Sequence, residues 1–298
     1  MSNMTNPESK ITTIPTIGVF DSGFGGLTVL RALLRRLPNA RFAFIGDTAR
    51  LPYGSKSQRT IARYAAQSAR FLVNEQGAEY LVIACNTASA LALDAIKDAV
   101  PVPVLGVIEP GAEAALAASR TGDVLVIATD ATVQSHAYAA ACRARGLRAL
   151  EKACPLLVPL VEEGWTEAAD LTGASAAQAT PQVAVTAEVI RIYLNELHAE
   201  AAAKGMNADT LVLGCTHYPL LRPLIERTVP AGMRVIDSAE SAAEAAVRLF
   251  GQQDVEALPA VPQALRCFAT DSVEKFERLG SRFLGRPVGK VELVDLGG

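Results

Sequence analysis

The chain has 298 residues, of which 50% are hydrophobic and 20% charged, and its 28 Lys and Arg against 31 Asp and Glu leave a formal net charge of −3. This balance excludes a strongly basic nucleic-acid-binding protein and an intrinsically disordered chain. No apolar run approaches the roughly 18 to 20 residues of a membrane helix. Because domains cluster near about 100 to 200 residues, two domains or one large α/β unit are expected.

The chain begins with a polar segment, residues 1–16, that lacks the charged start, apolar block and cleavage site of a signal peptide. We predict a disordered lead-in and a cytoplasmic location. An odd number of cysteines, without CxxC or zinc-finger spacing, predicts free thiols in that compartment. Free cysteine is commonly buried, so each is structural unless its setting indicates chemistry. The five are Cys85, Cys142, Cys154, Cys215 and Cys267.

The first half alternates β-branched runs, polar turns and Ala/Leu-rich segments of helical period, which is typical of βα repeats around a parallel sheet. Strands are predicted at 17–20, 41–45, 80–84 and 102–107, and helices at 27–37, at 58–76, from Cys85 to near Pro101, and from Glu109 onward. The glycine-rich turn at 23–26 does not complete a dinucleotide fingerprint, and Lys56 lacks the preceding glycine of a P-loop, so neither a nicotinamide cofactor nor ATP is implied.

A second series of the same kind begins at Asp123. It predicts a strand at 124–128, a helix at 133–145, a long helix at 183–204 that stops at Gly205, a strand at 211–214 and a helix that starts within 215–219. The stretch 164–181 is rich in Ala, Thr, Ser and Gln, and we interpret it as a surface insertion or mobile loop. The fold class is therefore α/β throughout.

Two of the cysteines occupy matching positions in these series. LVIACNT at 81–87 is similar to LVLGCTH at 211–217, so Cys85 and Cys215 each follow a buried strand and start a helix. In open α/β sheets, ligands bind beyond the carboxyl ends of the strands. A helix N-terminus favours the thiolate and lowers a thiol pKa below its usual value of about 8.5. The sequence therefore predicts two activated thiols from a duplicated fold, and the other three cysteines as core residues.

Opposed thiols suit a reaction in which a proton leaves one face of a carbon and returns on the other. His217 would orient or deprotonate Cys215, or would only bond backbone at the start of a helix. Asp21 would cap the helix that begins near Gly25, bind a substrate ammonium or tune a thiol. A zinc site from Cys85, Cys215 and His217 has suitable ligand types but no local spacing, and no metal is predicted.

Four sequence blocks in this order resemble those of the glutamate racemase family, and the resemblance runs from about residue 17 to about residue 284. The blocks are FDSGFGGLTV at 20–29, GDTARLPYG at 46–54, CNTASA at 85–90 and LGCTHYPL at 213–220, and CPLLVPLVE at 154–162 resembles a fifth. The resemblance implies two similar domains with mainly parallel sheets that face each other across a central cleft. We predict 17–107 plus 237–298 as the first domain and 108–236 as the second.

The resemblance also implies a chemistry: cofactor-independent interconversion of L- and D-glutamate, which supplies D-glutamate for peptidoglycan. Cys85 would take the Cα proton from D-glutamate, and Cys215 would protonate the opposite face. Asp21 would assist Cys85, and His217 with Glu162, or the adjacent Glu163, would assist Cys215. By the same resemblance, the substrate would be held by Asp21, Ser22, Tyr53, Gly54, Asn86, Thr87, Thr129, Thr132, Thr216 and His217.

The family resemblance also implies a set of partners. These are glutamate as a small-molecule substrate and either a cell-wall precursor as activator or control through packing in a homodimer; no nucleic-acid or membrane partner is implied. Ala128 precedes Thr129 where the family usually has glycine, which could tighten the cleft.

Three other functions remain open at this point. They are a racemase for aspartate or another acidic amino acid, a thiol hydrolase with Cys85 as nucleophile and His217 as base, and an amino-acid-binding module. The paired strand–cysteine–helix units favour racemisation over the last two, because neither hydrolysis nor binding needs a second thiol.

Overall fold

The computed structural model of the chain describes residues 14–166, 180–250 and 264–297. Two sheets, parallel throughout, form its framework. The first has the strand order β10-β9-β2-β1-β3-β4, with β1 Thr16–Asp21, β2 Arg41–Gly46, β3 Tyr80–Ile83, β4 Val104–Gly106, β9 Leu265–Ala269 and β10 Val291–Leu293. The second has the order β6-β5-β7-β8, with β5 Asp123–Ala128, β6 Arg148–Ala153, β7 Thr210–Gly214 and β8 Arg234–Asp237.

Helices connect and cover these strands. Within the described ranges the α-helices are α1 Leu27–Arg36, α2 Gln58–Arg70, α3 Asn86–Leu91, α4 Leu93–Ala99, α5 Ile108–Ala118, α6 Asp130–Ser135, α7 Ala137–Arg143, α8 Leu157–Glu162, α9 Pro181–Ala203, α10 Arg222–Thr228, α11 Ser238–Phe250 and α12 Val273–Leu284. Across those same ranges, no helix combines the length and apolar character needed to span a bilayer.

The central strands are apolar because helices cover both faces of a parallel sheet. Every residue of β5 and of β7 is buried. Amphipathic helices supply the cover: α12, for example, turns Phe276, Leu279 and Phe283 inward at helical spacing. The predicted fold class, α/β with two mainly parallel sheets, is confirmed, while the domain boundaries stay a prediction.

Several predicted boundaries differ from the structure. Thr16 already belongs to β1 and Pro15 accepts a backbone hydrogen bond from Arg41 at 3.0 Å, so the lead-in is shorter than predicted and the rest of it, 1–13, lies outside the described residues. Most of the predicted loop, 167–179, also lies outside them. Pro181 is not part of that loop, because it opens α9 behind a Thr180 side-chain cap.

Three helices were placed incorrectly. The segment 133–145 is two helices, α6 and α7, separated by His136 at φ 53°, and the helix after Cys85 divides at Ala92 into α3 and α4. After Cys215 the chain turns into a 3-10 helix, Tyr218–Leu221, before α10 begins at Arg222. Proline lacks the N–H that a helix interior requires. Pro219 in the 3-10 helix and Pro223 at the start of α10 therefore cannot lie inside an α-helix that begins at Cys215, and the α-helix starts later.

The sequence analysis predicted no strand after 211–214, so β8, β9 and β10 were missed, and so was β6, an edge strand. In β6, Arg148 is exposed and the other residues are half-buried, and Arg148, Glu151 and Lys152 interrupt the apolar pattern. Charged side chains are common on edge strands, because only one side of such a strand is paired within the sheet.

Candidate active site

A cavity of about 460 Å³ lies beyond the carboxyl ends of β1, β3, β5 and β7, and both Cys85 and Cys215 line it. This is the place where ligands bind in open parallel sheets. Most of the residues predicted from the sequence meet here. The full lining is Ser22, Leu51, Pro52, Tyr53, Gly54, Ser55, Cys85, Asn86, Thr87, Thr129, Asp130, Pro155, Val158, Pro159, Glu162, Glu163, Cys215, Thr216, His217 and Lys275.

Cys85 caps the N-terminus of α3, where its Sγ accepts a hydrogen bond from Ala88 N at 3.5 Å and donates one to Ser22 Oγ at 3.4 Å. Burial, reinforced by the charge of Asp21, raises the pKa of the Cys85 thiol to about 12. The predicted lowering of this pKa is therefore wrong. A six-residue helix and a few hydrogen bonds do not offset the loss of water around the thiolate.

Asp21, at the end of β1, is buried and lies outside the cavity lining. Its Oδ2 accepts a hydrogen bond from Gly23 N at 2.9 Å, and Oδ1 has no hydrogen-bond partner within the described ranges. Burial raises the pKa of this carboxyl. The N-cap residue of α1 is Gly26, so Asp21 is not the side-chain cap that one sequence hypothesis assigned.

The second thiol has a different neighbour. Cys215 Sγ lies 4.0 Å from His217 Nδ1, and His217 Nε2 lies 3.3 Å from Glu162 Oε1. Burial alone would lower the pKa of His217, but its hydrogen bonds to Cys215 and Glu162, together with the negative charge of Glu162, raise it to about 10. The imidazole therefore carries a positive charge at neutral pH.

This arrangement bears on two of the open questions. Glu162, rather than Glu163, bonds His217, although both acids line the cavity. His217 accompanies Cys215 and not Cys85, so the geometry does not form the Cys85–His217 pair of the hydrolase hypothesis.

Lys275 is a cavity residue that the sequence did not indicate. It lies on α12, and its Nζ is 4.0 Å from Glu162 Oε2 with 47% of the side chain exposed. Burial by itself raises the pKa of Glu162, but the hydrogen bond and charge of His217 and the charge of Lys275 outweigh it, so that pKa is lowered overall. A lone lysine on an amphipathic helix has no local pattern that could have revealed this contact.

Three threonine hydroxyls form a cluster between the two sheets. Thr87 Oγ1 lies 3.1 Å from Thr129 Oγ1 and 3.3 Å from Thr132 Oγ1, which are themselves 3.0 Å apart. Thr87 and Thr129 line the cavity, whereas Thr132 is fully buried behind them. Hydroxyls can donate to carboxylate oxygens, so the cluster can serve as a binding surface for an acidic group. Ala128 is buried and does not line the cavity, so it does not narrow it directly.

Tyr53 lines the cavity and is held from behind by Asp47, which the sequence analysis did not single out. The Tyr53 hydroxyl donates to Asp47 Oδ2 at 2.6 Å, and Thr270 Oγ1 donates to Asp47 Oδ1 at 2.9 Å. Burial, together with the Asp47 charge, raises the pKa of Tyr53, so its hydroxyl stays protonated. Gly54 follows and faces Thr129, whose Cβ would be 3.6 Å from an added Cβ.

The loop after β1 meets the loop after β7 in close contact. Thr28 Oγ1 donates to Thr216 O at 3.0 Å, and Thr216 Oγ1 lies 3.4 Å from His217 Nδ1. A Cβ on Gly25 would collide with Thr216 Oγ1 and lie 2.5 Å from His217 Nδ1. Only glycine allows this approach.

The remaining cysteines lie in the interior, as predicted: Cys142 in α7, Cys154 after β6 and Cys267 in β9 are all buried. No group of three His, Cys, Asp or Glu side chains within the described ranges is arranged to hold a metal ion. A second cavity of about 540 Å³ between α2 and α4 contains Arg59 and Asp94 but neither thiol nor imidazole in its lining. The reactive groups are thus concentrated in the cavity between the sheets.

Comparisons with known proteins agree with this geometry. The family model for Asp/Glu/Hydantoin racemase matches residues 17–246. A curated glutamate racemase from Koribacter versatilis is 50% identical over 95% of this chain and 98% of its own. The crystal structure of glutamate racemase from Francisella tularensis in complex with D-glutamate has a TM-score of 0.80 at 33% identity, covering 95% of this chain and 98% of that one.

The glutamate racemase of Escherichia coli, solved with L-glutamate and the activator UDP-MurNAc-Ala, has a TM-score of 0.70 at 27% identity. That similarity covers 96% of this chain and 100% of the other.

Proposed function

Because the chain belongs to the Asp/Glu/Hydantoin racemase family and, within it, to the glutamate racemases, we propose that it interconverts L- and D-glutamate by proton transfer between Cα and two thiols, those of Cys85 and Cys215. One observation carries the proposal: both thiols line a single cavity, and each has its own polar partners. The D-glutamate formed would serve peptidoglycan synthesis.

The reaction is two proton transfers on opposite faces of one carbon. With D-glutamate, the Cys85 thiolate takes the Cα proton, and the electron pair of the broken C–H bond remains on the substrate as a carbanion. The Cys215 thiol then donates its proton to the other face, which yields L-glutamate, a Cys85 thiol and a Cys215 thiolate. The reverse reaction starts from that state, so atoms and charge balance over a cycle.

The charges around each thiol support this assignment. Burial and the charge of Asp21 disfavour the Cys85 thiolate. The ammonium of a bound amino acid supplies a positive charge, and an opposite charge nearby favours ionisation. Cys215 already has the His217 imidazolium beside it, held by Glu162. Ionisation of Cys85 would therefore accompany substrate binding.

The carbanion requires stabilisation by donors in a site from which water is excluded. Thr87, Thr129, Thr216 and Asn86 line the cavity, and their hydroxyl and amide groups would donate to the two carboxylates. Ser22, Tyr53 and Gly54 would complete the binding surface, with Asp21 and Thr132 supporting it from behind.

The proposal is tested by incubating the purified protein with L-glutamate, and separately with L-aspartate, in D2O without added cofactor. Optical rotation and the deuterium content at Cα are followed. Loss of optical rotation with deuterium entering Cα is expected. If neither glutamate nor aspartate exchanges its Cα proton, the chain is not the proposed racemase. Exchange with aspartate alone would assign the other acidic substrate.

Single substitutions test the two thiols separately. Cys85→Ser and Cys215→Ser should each lower turnover in both directions by about 10²- to 10⁴-fold, the usual contribution of a general acid or base. Cys267→Ser is the matched control and should keep wild-type turnover, because Cys267 is buried in β9 and does not line the cavity. Full activity in either cavity variant would show that its thiol is not a required base.

The Escherichia coli relative was solved with the activator UDP-MurNAc-Ala, and this supports a cell-wall precursor as activator of the present chain as well. Activation would appear as an increase in kcat/KM for L-glutamate, and a coupling of ordinary size corresponds to about 5- to 150-fold. UDP alone is the matched control. Equal rates with and without the precursor would leave this chain without such an activator.

A further inference from the structure

The Asn86 side chain is buried at the cavity wall with one end bonded and one end free. Its Oδ1 accepts a hydrogen bond from the Tyr138 hydroxyl at 2.7 Å. Its Nδ2 has no hydrogen-bond partner within the described ranges, although Asn86 lines the cavity. A buried N–H without a partner is costly, and such groups usually have a role. An acidic ligand in the cavity would supply the missing acceptor.

The hydrogen bond from Tyr138 distinguishes the two ends of the Asn86 amide. A primary amide can rotate by half a turn and exchange its donor and acceptor ends. Burial raises the pKa of Tyr138, so its hydroxyl keeps its proton and can donate. With the Tyr138 hydroxyl donating to Oδ1, the NH2 group is the end of the amide that has no hydrogen-bond partner within the described residues.

The Tyr138 side chain is closely packed on both edges of its ring. It lies on α7, beside the second sheet, and is fully buried. A Cβ on Gly111 would lie 3.0 Å from one edge of its ring, and a Cβ on Gly214 would lie 2.9 Å from the other edge. The ring therefore fits between two glycines where a larger residue would displace it.

The position of Tyr138 links the two reactive loops. Its ring contacts Gly214, the residue immediately before Cys215, and its hydroxyl bonds Asn86, the residue immediately after Cys85. The two bonded residues are 52 positions apart in the sequence. A single buried side chain thus joins the strand end that precedes one thiol to the helix that follows the other.

We propose that Tyr138 is a positioning residue for the racemase reaction. Tyr138 orients the Asn86 amide so that its NH2 group binds a substrate carboxylate, and it fixes the relative positions of the two thiol-bearing loops. The inference rests on the proposed function for its catalytic consequence. The orientation of Asn86 can be tested without turnover.

The kinetic test is a double-mutant cycle with Tyr138→Phe, which keeps the ring and removes the hydroxyl, and Asn86→Ala. Each single variant should lower kcat/KM for glutamate by at least about tenfold, mainly through KM, because an unoriented or absent donor binds the carboxylate poorly. In the Asn86→Ala background, Tyr138→Phe should change kcat/KM less than about twofold, because its effect passes through Asn86.

Tyr193→Phe is the matched control. It removes a hydroxyl that accepts a hydrogen bond from Leu156 N outside the cavity, and it should keep wild-type kinetics. Wild-type kcat/KM in Tyr138→Phe would overturn the inference. A full tenfold loss in the Asn86→Ala background would do the same, because it would indicate a general structural role.

A second measurement needs no activity and no folded Tyr138 variant. In wild-type protein labelled with 15N, the Asn86 side-chain NH2 signals are identified by their loss in Asn86→Ala. Addition of D-glutamate should shift these signals, and unshifted signals would overturn the inference. A wild-type protein that shifts these signals without racemising glutamate would contradict the proposed function and leave the inference standing.

Discussion

Cys85 and Cys215 place the same side chain in opposite electrostatic settings. Beside Cys85 is a buried carboxyl, Asp21, and beside Cys215 is an imidazolium, His217. A proton shuttle between two faces of a carbon requires one base and one acid at each moment, and different surroundings for the two thiols suit such a division of roles.

The contribution of Asp21 can be measured through the reactivity of Cys85. Asp21→Asn removes a charge that raises the pKa of Cys85, so that pKa should fall and alkylation by iodoacetamide at mildly alkaline pH should become faster. Peptide mapping by mass spectrometry would follow each thiol. Buried Cys267 is the internal control, because it reacts only if the fold opens. An unchanged rate at Cys85 would exclude a charge effect of Asp21.

Glu162 should control the alkaline limit of the reaction. Its bond to His217 helps raise the pKa of His217 to about 10, so Glu162→Gln should lower that pKa. The imidazolium would then lose its proton at lower pH, and the alkaline limb of the kcat/KM profile should move to lower pH. Glu163→Gln is the matched control and should shift the limb less. Equal shifts in both variants would contradict the assignment of Glu162.

Among the elements, strand-to-helix loops bring the reactive groups together. The loops after β1 and β7 approach so closely that Gly25 has no room for a side chain, and Thr28 bonds the backbone of Thr216. The position of the Cys215–His217 pair therefore depends on a loop of the other sheet.

Gly25→Ala should disturb this contact. The added methyl group would force the Thr216–His217 loop away, so we expect kcat to fall by about 100-fold or more, because small misplacements of catalytic groups are costly. Gly54→Ala is the steric control, and it is followed by melting temperature. Its added methyl group would lie 3.6 Å from Thr129, an ordinary contact distance, so the melting temperature of this variant should be unchanged. Wild-type kcat in Gly25→Ala would show that the contact does not position the site.

For the whole molecule, the cavity lies between two sheets, so a ligand that fills it connects both halves. D-glutamate should therefore raise the melting temperature, and a concentration of 100 times its Kd stabilises the folded state by about 2.7 kcal/mol. Cys85→Ser should show the same thermal shift, because it loses a base and not a binding group. L-arginine is the control ligand. An equal shift with L-arginine would contradict a site selective for acidic amino acids.

The sequence by itself determined the α/β class and most central strands, because buried parallel strands have a local apolar pattern. It also placed Cys85 and Cys215 at matching strand ends, since a residue directly after a buried strand must emerge at one edge of the sheet. It failed for the edge strand β6 and for the helix after Cys215, where charged residues and prolines change the local pattern.

Only the tertiary structure decided the electrostatics of the site. The shift in the pKa of Cys85 is opposite to the one expected from its place at a helix start, because burial and Asp21 outweigh the helix. Two contacts at the site join residues that are far apart in the chain: the Lys275–Glu162 contact and the Tyr138–Asn86 contact. Local sequence patterns specify which residues emerge at a strand end, whereas desolvation and charge depend on every element that packs around them.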